Sequence, residues 1–208
     1  MGPRDRKLRE LEDRKKYILE KSRELFFRKG YEQVTIQDIC DAVEYGRSVI
    51  YSMFESKEEI YSYIYLDALE ILITLNSSID PHSDDFDAQF MRGAENLYRF
   101  YADYTDYYKA LSYFNNNSMA YSKIPPALLE RKKFLGEKAG EPFAVLLERF
   151  MQKDLLRRVN IPDFINLFFS AVIGVIGLFI HTEEEEDKER IRSFVMLHAE
   201  LYREGLKK

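Results

Sequence analysis

The chain of 208 residues has one cysteine, Cys40, and three histidines, His82, His181 and His198. A single thiol excludes an intramolecular disulfide, and no charged-then-apolar segment at the start reads as a secretory signal, so a cytoplasmic location is expected. A myristoylation signal is missing too, because Arg6 stands where Ser or Thr is wanted. There is no glycine-rich phosphate loop, and no histidine is paired with a cysteine or serine nucleophile signature. No histidine follows a glutamate at the Glu-x-x-His spacing of a helical di-iron site. Neither catalysis nor a cofactor is therefore expected, and His181 and His198 read as surface or interface residues. Long apolar runs are scarce. The longest, residues 164–180, spans 17 residues and includes Asn166 and Ser170. That is the lower limit for a spanning helix, and an acidic run, Glu183 to Asp187, follows before Lys188 offers an anchor. A buried interface helix, not a membrane span, is the expectation.

What is present is a globular balance, 46% apolar and 32% charged, which argues for a folded soluble chain. The net charge of −5 is unevenly placed: residues 1–30 carry eleven Lys/Arg against six Asp/Glu, leaving −10 for the remainder. A basic end on an acidic body suits a local nucleic-acid contact on a body that makes none, and it equally suits a solvated basic helix.

Helical spacing recurs from end to end while strand alternation never persists, so the fold class is all-α. A first helix starting near residues 8–14 puts Ile18, Ser22, Leu25 and Phe26 on one face and ends at Gly30, a residue suited to the left-handed position after a helix. Thr35 with Asp38 makes a capping box that opens a second helix, with Ile36, Ile39, Cys40 and Val43 inward. Glu44, Tyr45 and Gly46 form a turn, and residues 47–54 resume helical spacing. Ser56 with Glu59 forms another capping box and launches a long helix through Ile60, Ile64, Ala68, Leu72 and Leu75. Residues 80–83 break the pattern and read as a hinge between a small head and a helical body. The body then presents one seam, Phe90, Ala94, Leu97, Tyr101, Tyr104, Tyr108 and Leu111, followed by a loop at Asn115 to Asn117. A helix from Pro125-Pro126 is expected to break at residues 140–142, and two more run from Pro162 to about Thr182 and from about Glu184 to Leu206. The expected division is residues 1–60, a three-helix head, and residues 61–208, a helical bundle.

Two short amphipathic helices joined by a three-residue turn make a helix-turn-helix, whose second helix fits a major groove roughly 12 Å wide. Its outward residues are Tyr45, Gly46, Arg47, Ser48, Tyr51 and Ser52, with Arg47 able to grip guanine or a phosphate. Thr35 and Gln37, at the amino end of the preceding helix, and Lys57, at the start of the long helix, sit where exposed amides favour a phosphate.

Residues 18–61 resemble the amino-terminal domain of the TetR family of transcriptional regulators. The landmarks are Leu25-Phe26, Gly30, Thr35, Ile39, Ile50-Tyr51, Phe54 and Ser56-Lys57-Glu58. The resemblance implies that Thr35 and Lys57 hold phosphates, that Tyr51 contacts the DNA backbone, and that Arg47 and Ser48 lie against the groove. The turn departs from the family, which usually has a glycine, a small apolar residue and a capping serine where this chain has Glu44, Tyr45 and Gly46.

The resemblance further implies a dimer on a near-palindromic operator of double-stranded DNA, released when a small effector binds the body and moves the long helix. For the dimer seam the expected residues are Phe168, Ala171, Gly174, Val175, Leu178, Phe194, Leu197 and Leu201. A hydrophobic or aromatic effector is expected among Phe100, Tyr104, Tyr107, Tyr108, Tyr113 and Phe114, whose rings equally suit plain core packing. A helical adaptor that binds protein and not DNA is the alternative reading.

Overall fold

Local capping chemistry sets the boundaries of the first elements. The backbone turns at Gly30, in the left-handed region at φ 78°, where its N–H still reaches the Phe26 carbonyl at 2.8 Å. Thr35 then caps the next helix reciprocally: its hydroxyl accepts from the Asp38 N–H at 3.1 Å, and the Asp38 carboxylate accepts from the Thr35 N–H at 2.8 Å. The computed structural model describes residues 3–179 and 185–208. Within them the chain runs as α1 (Pro3–Lys29), α2 (Ile36–Val43), α3 (Arg47–Tyr51), α4 (Lys57–Asn76), α5 (Phe86–Asp103), α6 (Thr105–Asn116), α7 (Ser118–Tyr121), α8 (Pro126–Gln152), α9 (Ile161–Gly177) and α10 (Glu185–Leu206). The all-α expectation holds. Among the described residues the only strand-like pairing is a single antiparallel bridge, Leu156 with Lys207, which pins the carboxy-terminal end.

Several expected boundaries move. α1 begins at Pro3, and its residues from Asp5 to Arg14 are exposed, so the first turns project from the body of the molecule. α3 stops at Tyr51. Ser56 does cap α4 through the Glu59 N–H at 3.0 Å, but the Glu59 carboxylate reaches past it to the Glu55 N–H at 2.6 Å, so the cap is not a reciprocal box. The aromatic seam is two helices, broken at Tyr104, whose ψ of 43° leaves the helical range and whose side chain is exposed. Asn115 and Asn116 extend α6 rather than a loop, and Asn117 caps α7 by accepting from the Ala120 N–H. α8 runs unbroken through Pro142. Losing one helical bond there costs about 3 kcal/mol, and the buried Leu135, Ala139, Phe143, Leu146 and Leu147 on either side offset it. α9 ends at Gly177; the expected continuation to Thr182, His181 and the first acidic residues after it lie outside the described residues.

α4 is the central helix. It packs on α1 at its amino-terminal part and on α5, α6 and α8 along the rest. An Arg23–Asp67 ion pair joins it to α1. The turn at residues 80–83, expected to separate head from body, instead lies inside the body between α4 and α5. There Arg149 donates to the carbonyls of Pro81 at 3.1 Å and Ser83 at 2.6 Å. The buried Asn96 donates to the Leu75 carbonyl at 2.9 Å, tying α5 to the end of α4. α10 packs across α5 and α9. Buried apolar side chains from Ile18 to Leu206 form one contiguous cluster.

Candidate nucleic-acid interface and body cavity

The inner faces of α2 and α3 are apolar and buried through Ile39, Cys40, Val43 and Ile50, so the side chains between those positions turn outward. Arg47 is exposed, and its Nε donates to the Gln37 side-chain carbonyl at 3.0 Å. Gln37 in turn donates to Asp41 at 2.7 Å. The chain Asp41–Gln37–Arg47 holds the guanidinium through its Nε, and its two terminal nitrogens make no hydrogen bond to another described residue. Gln37 therefore serves as a support for Arg47, a role that its position in sequence does not reveal. Beside Arg47, Ser48 is exposed, and the Tyr51 ring is 54% exposed. Ser52 is exposed too, with its hydroxyl bonded to the Val49 carbonyl at 2.7 Å.

Two expected contact residues are occupied internally. Tyr45 is half-buried against Tyr17, ring centroids 6.3 Å apart, with the Arg14 guanidinium 5.5 Å over its ring. Lys57 donates to the carbonyls of Tyr31 at 3.0 Å and Val34 at 2.9 Å, and its ammonium lies 4.0 Å over the Tyr31 ring. Burial pushes the Lys57 ammonium below its ordinary pKa. Both residues brace the head in place of reaching outward, because two carbonyls and an aromatic face satisfy Lys57 more completely than its exposed position in sequence suggests.

The turn carries a strain. Gly46 is the N-cap of α3 with no side-chain bond to offer. Glu44 sits at φ 57°, ψ 33°, the left-handed region, as the C-cap of α2. A non-glycine residue in that region costs roughly 1–2 kcal/mol. Glu44→Gly is therefore expected to raise the melting temperature by roughly 2–8 °C in a circular-dichroism melt; an unchanged or lower value would show that the turn is unstrained.

Asp38 contributes a pH dependence. The Lys29 ammonium at 2.7 Å, then the Thr35 hydroxyl and N–H, hold its carboxyl well below the usual carboxylate range. A depressed folded-state pKa contributes stability that is present in full above the unfolded value of about 3.9 and is lost as pH falls through the folded value. Asp38→Asn is thus expected to melt earlier than wild type at pH 7, with the gap closing below about pH 4. A gap that is constant from pH 7 to pH 3 would contradict it.

Residues 18–64 match the family model described as bacterial regulatory proteins, tetR family. That segment contains α2, α3 and the start of α4, the helix-turn-helix just described. Residues 18–64 thus carry a segment similar to the amino-terminal domain of the tetR family. Solved structures agree in fold over nearly the whole length. The TetR family regulator PfmR from Thermus thermophilus is 22% identical with a TM-score of 0.61, covering 92% of this chain and 99% of that one. A tetR-family regulatory protein from Rhodococcus RHA1 is 15% identical with a TM-score of 0.67, covering 93% and 97%. A putative tetR family regulator from Shewanella sp. PV-4 is 14% identical with a TM-score of 0.64, covering 94% and 98%. No curated protein matches the chain in sequence.

Behind this TetR head the body holds a cavity of about 640 Å³. Leu69 and Leu72 of α4, Leu111 of α6, Phe143 of α8 and Ile173 of α9 form its apolar walls. None of the six aromatics expected around an effector lines it. Phe100, Tyr108 and Phe114 are buried core, with the Tyr108 hydroxyl donating to the Ile173 carbonyl at 3.0 Å. Tyr107 packs on Phe27 at 5.1 Å and Tyr113 on Tyr31 at 4.4 Å, so both cement the head to the body, and Tyr104 faces solvent. The residues that open the cavity are small: Gly136 and Gly140 on α8, Gly174 and Gly177 on α9. A Cβ at Gly136, Gly174 or Gly177 would meet nothing within 4 Å, so these glycines leave space and bring no helix close.

Of the residues expected at a dimer seam, Leu178, Leu197 and Leu201 are exposed, at 77%, 51% and 65%. Gly174 is also exposed, Ala171 and Val175 are half-buried, and Phe194 is exposed at 38% while stacking on Phe179. Phe168 is the exception. It is buried inside its own chain between Phe90, Phe143, His198 and Tyr202, and so cannot meet a partner. Burial pushes the His198 pKa down, keeping that imidazole neutral at pH 7. Among the described residues no helix is long and apolar enough to cross a membrane.

Proposed function

We propose that the chain is a cytoplasmic, ligand-released repressor that acts as a dimer on a near-palindromic operator. Residues 1–60 read the DNA, and residues 61–208 bind the effector and pair the protomers. The observation that carries this reading is Arg47, exposed at the first position of α3 and braced through its Nε by Gln37, with its terminal nitrogens bonded to no other described residue. A guanidinium so held loses little freedom on gripping guanine or a phosphate. Ser48 and Tyr51 flank it on the same short helix and Ser52 caps that helix, while at the amino end of α2 the Thr35–Asp38 box leaves the Ile36 and Gln37 N–H groups for a phosphate. Two α3 helices would enter successive major grooves roughly 34–36 Å apart.

Release works through α4. Tyr65, Leu69, Leu72 and Asn76 of that helix line the cavity, while Lys57 at its other end grips the loop that leads into α2. An effector that moves α4 shifts the separation of the heads, and a coupling of about 1–3 kcal/mol is enough for a useful switch. The pairing surface is the exposed apolar stripe of α9 and α10.

Gel shift with DNA flanking the coding region, across a salt series, tests the proposal. A shifted band that weakens steeply with salt supports it. The absence of a salt-sensitive shift on any selected sequence rejects it in favour of a protein-binding adaptor.

A further inference from the structure

The cavity wall includes one charged side chain, Lys132 of α8. Its ammonium donates to the Tyr121 hydroxyl at 3.3 Å and lies 5.2 Å over that ring, and among the described residues no carboxylate pairs with it. Lys132 is also shared with a second depression on the outer side of α8 and α9, together with Gly136, Gly140, Ile165 and Asn166. The cavity therefore opens between α8 and α9, and Lys132 stands at its mouth. Across that mouth the Asn166 amide makes no hydrogen bond to another described residue. Inside, the walls are Leu69, Leu72, Leu111, Phe143 and Ile173. A volume of about 640 Å³ falls within the roughly 300–1,000 Å³ of small-molecule sites.

We infer that the cavity takes an apolar monocarboxylate, with its hydrocarbon body inside and its carboxylate at the mouth against Lys132 and the Asn166 amide. The inference rests on the reading of this cavity as the effector site. A neutral apolar ligand leaves the ammonium without a counter-charge in a mouth that its own body dries, a cationic one is repelled, and a dianion finds no second cation among the described residues of the cavity wall. A single carboxylate forms a charge-assisted bond to Lys132 and accepts from Asn166 as well.

Isothermal titration of the full chain with decanoate, 1-decanol and decylamine, below their aggregation concentrations, separates the cases. Decanoate is expected to bind about tenfold or more tightly than 1-decanol, and decylamine more weakly than either. Lys132→Met should bring decanoate to about the affinity of 1-decanol, while Lys132→Arg keeps the preference. Gly136→Phe, placed where the backbone has open space, should block both probes. Equal affinities for decanoate and 1-decanol in wild type, a preference that survives in Lys132→Met, or no decanoate binding at all overturns the inference. If Gly136→Phe blocks two probes of equal affinity, the cavity stands as the ligand site and only the carboxylate assignment falls. If Gly136→Phe leaves the binding of both unchanged, the effector reading of the cavity falls with it.

Discussion

Arg47→Ala combined with Tyr51→Ala is expected to lower operator affinity by about a hundredfold or more while leaving the melting temperature nearly unchanged. Both side chains project from α3 into solvent, and the buried anchor of that helix is Ile50, which the substitutions do not touch. One good base contact is worth about 1–3 kcal/mol, and in a symmetric dimer each loss counts at both half-sites. Removing Arg47 should also flatten the salt dependence, since the slope falls by about one for every phosphate the protein no longer neutralises. The measurement is a gel-shift titration at several salt concentrations with a parallel thermal melt. Affinity within threefold of wild type would remove α3 from the interface.

Leu197→Asp with Leu201→Asp is expected to turn the proposed dimer into monomers. The two leucines are one helical turn apart on α10, and both are exposed in the single chain, so a folded monomer tolerates the change. In a twofold seam four leucines are lost. At about 1.5–3 kcal/mol for each buried leucine, and with four carboxylates brought together, the dissociation constant should rise by at least about ten-thousandfold. Sedimentation velocity reads the result, and operator affinity should fall with it, because the two heads no longer bind as one. A double variant that still sediments as a dimer would move the pairing surface elsewhere.

The parts legible in the sequence were those governed by neighbours along the chain. Gly30 and the Thr35–Asp38 box are each decided within four residues, and the structure has them as expected, whereas of the Ser56–Glu59 box only the Ser56 half forms. What depends on distant partners was not legible. Pro142 reads locally as a break, but the helix continues because its flanking residues are buried against α4 and α9. Lys57 reads as an exposed cation, yet two carbonyls more than twenty positions earlier in the chain claim it. The cavity hides from a count of the aromatics on α5 and α6 because its walls draw on α4, α8 and α9 and its room comes from glycines, whereas Tyr31, Tyr61 and Tyr113 fill the junction of head and body. That Lys132 forms no ion pair with another described residue could only be seen from the tertiary packing.

The junction itself has a consequence for how the molecule can be cut. Tyr31 of the head touches Tyr61 at 4.7 Å and Tyr113 at 4.4 Å, and Phe27 meets Tyr107. A fragment ending at residue 60 would strand these rings in water and stop α4 after its first turn. The head and body, given separate tasks in the proposal, share one hydrophobic interior. They should melt in a single cooperative transition, and a compound lodged beneath α4 should protect backbone amides in α2 from exchange although it never touches them.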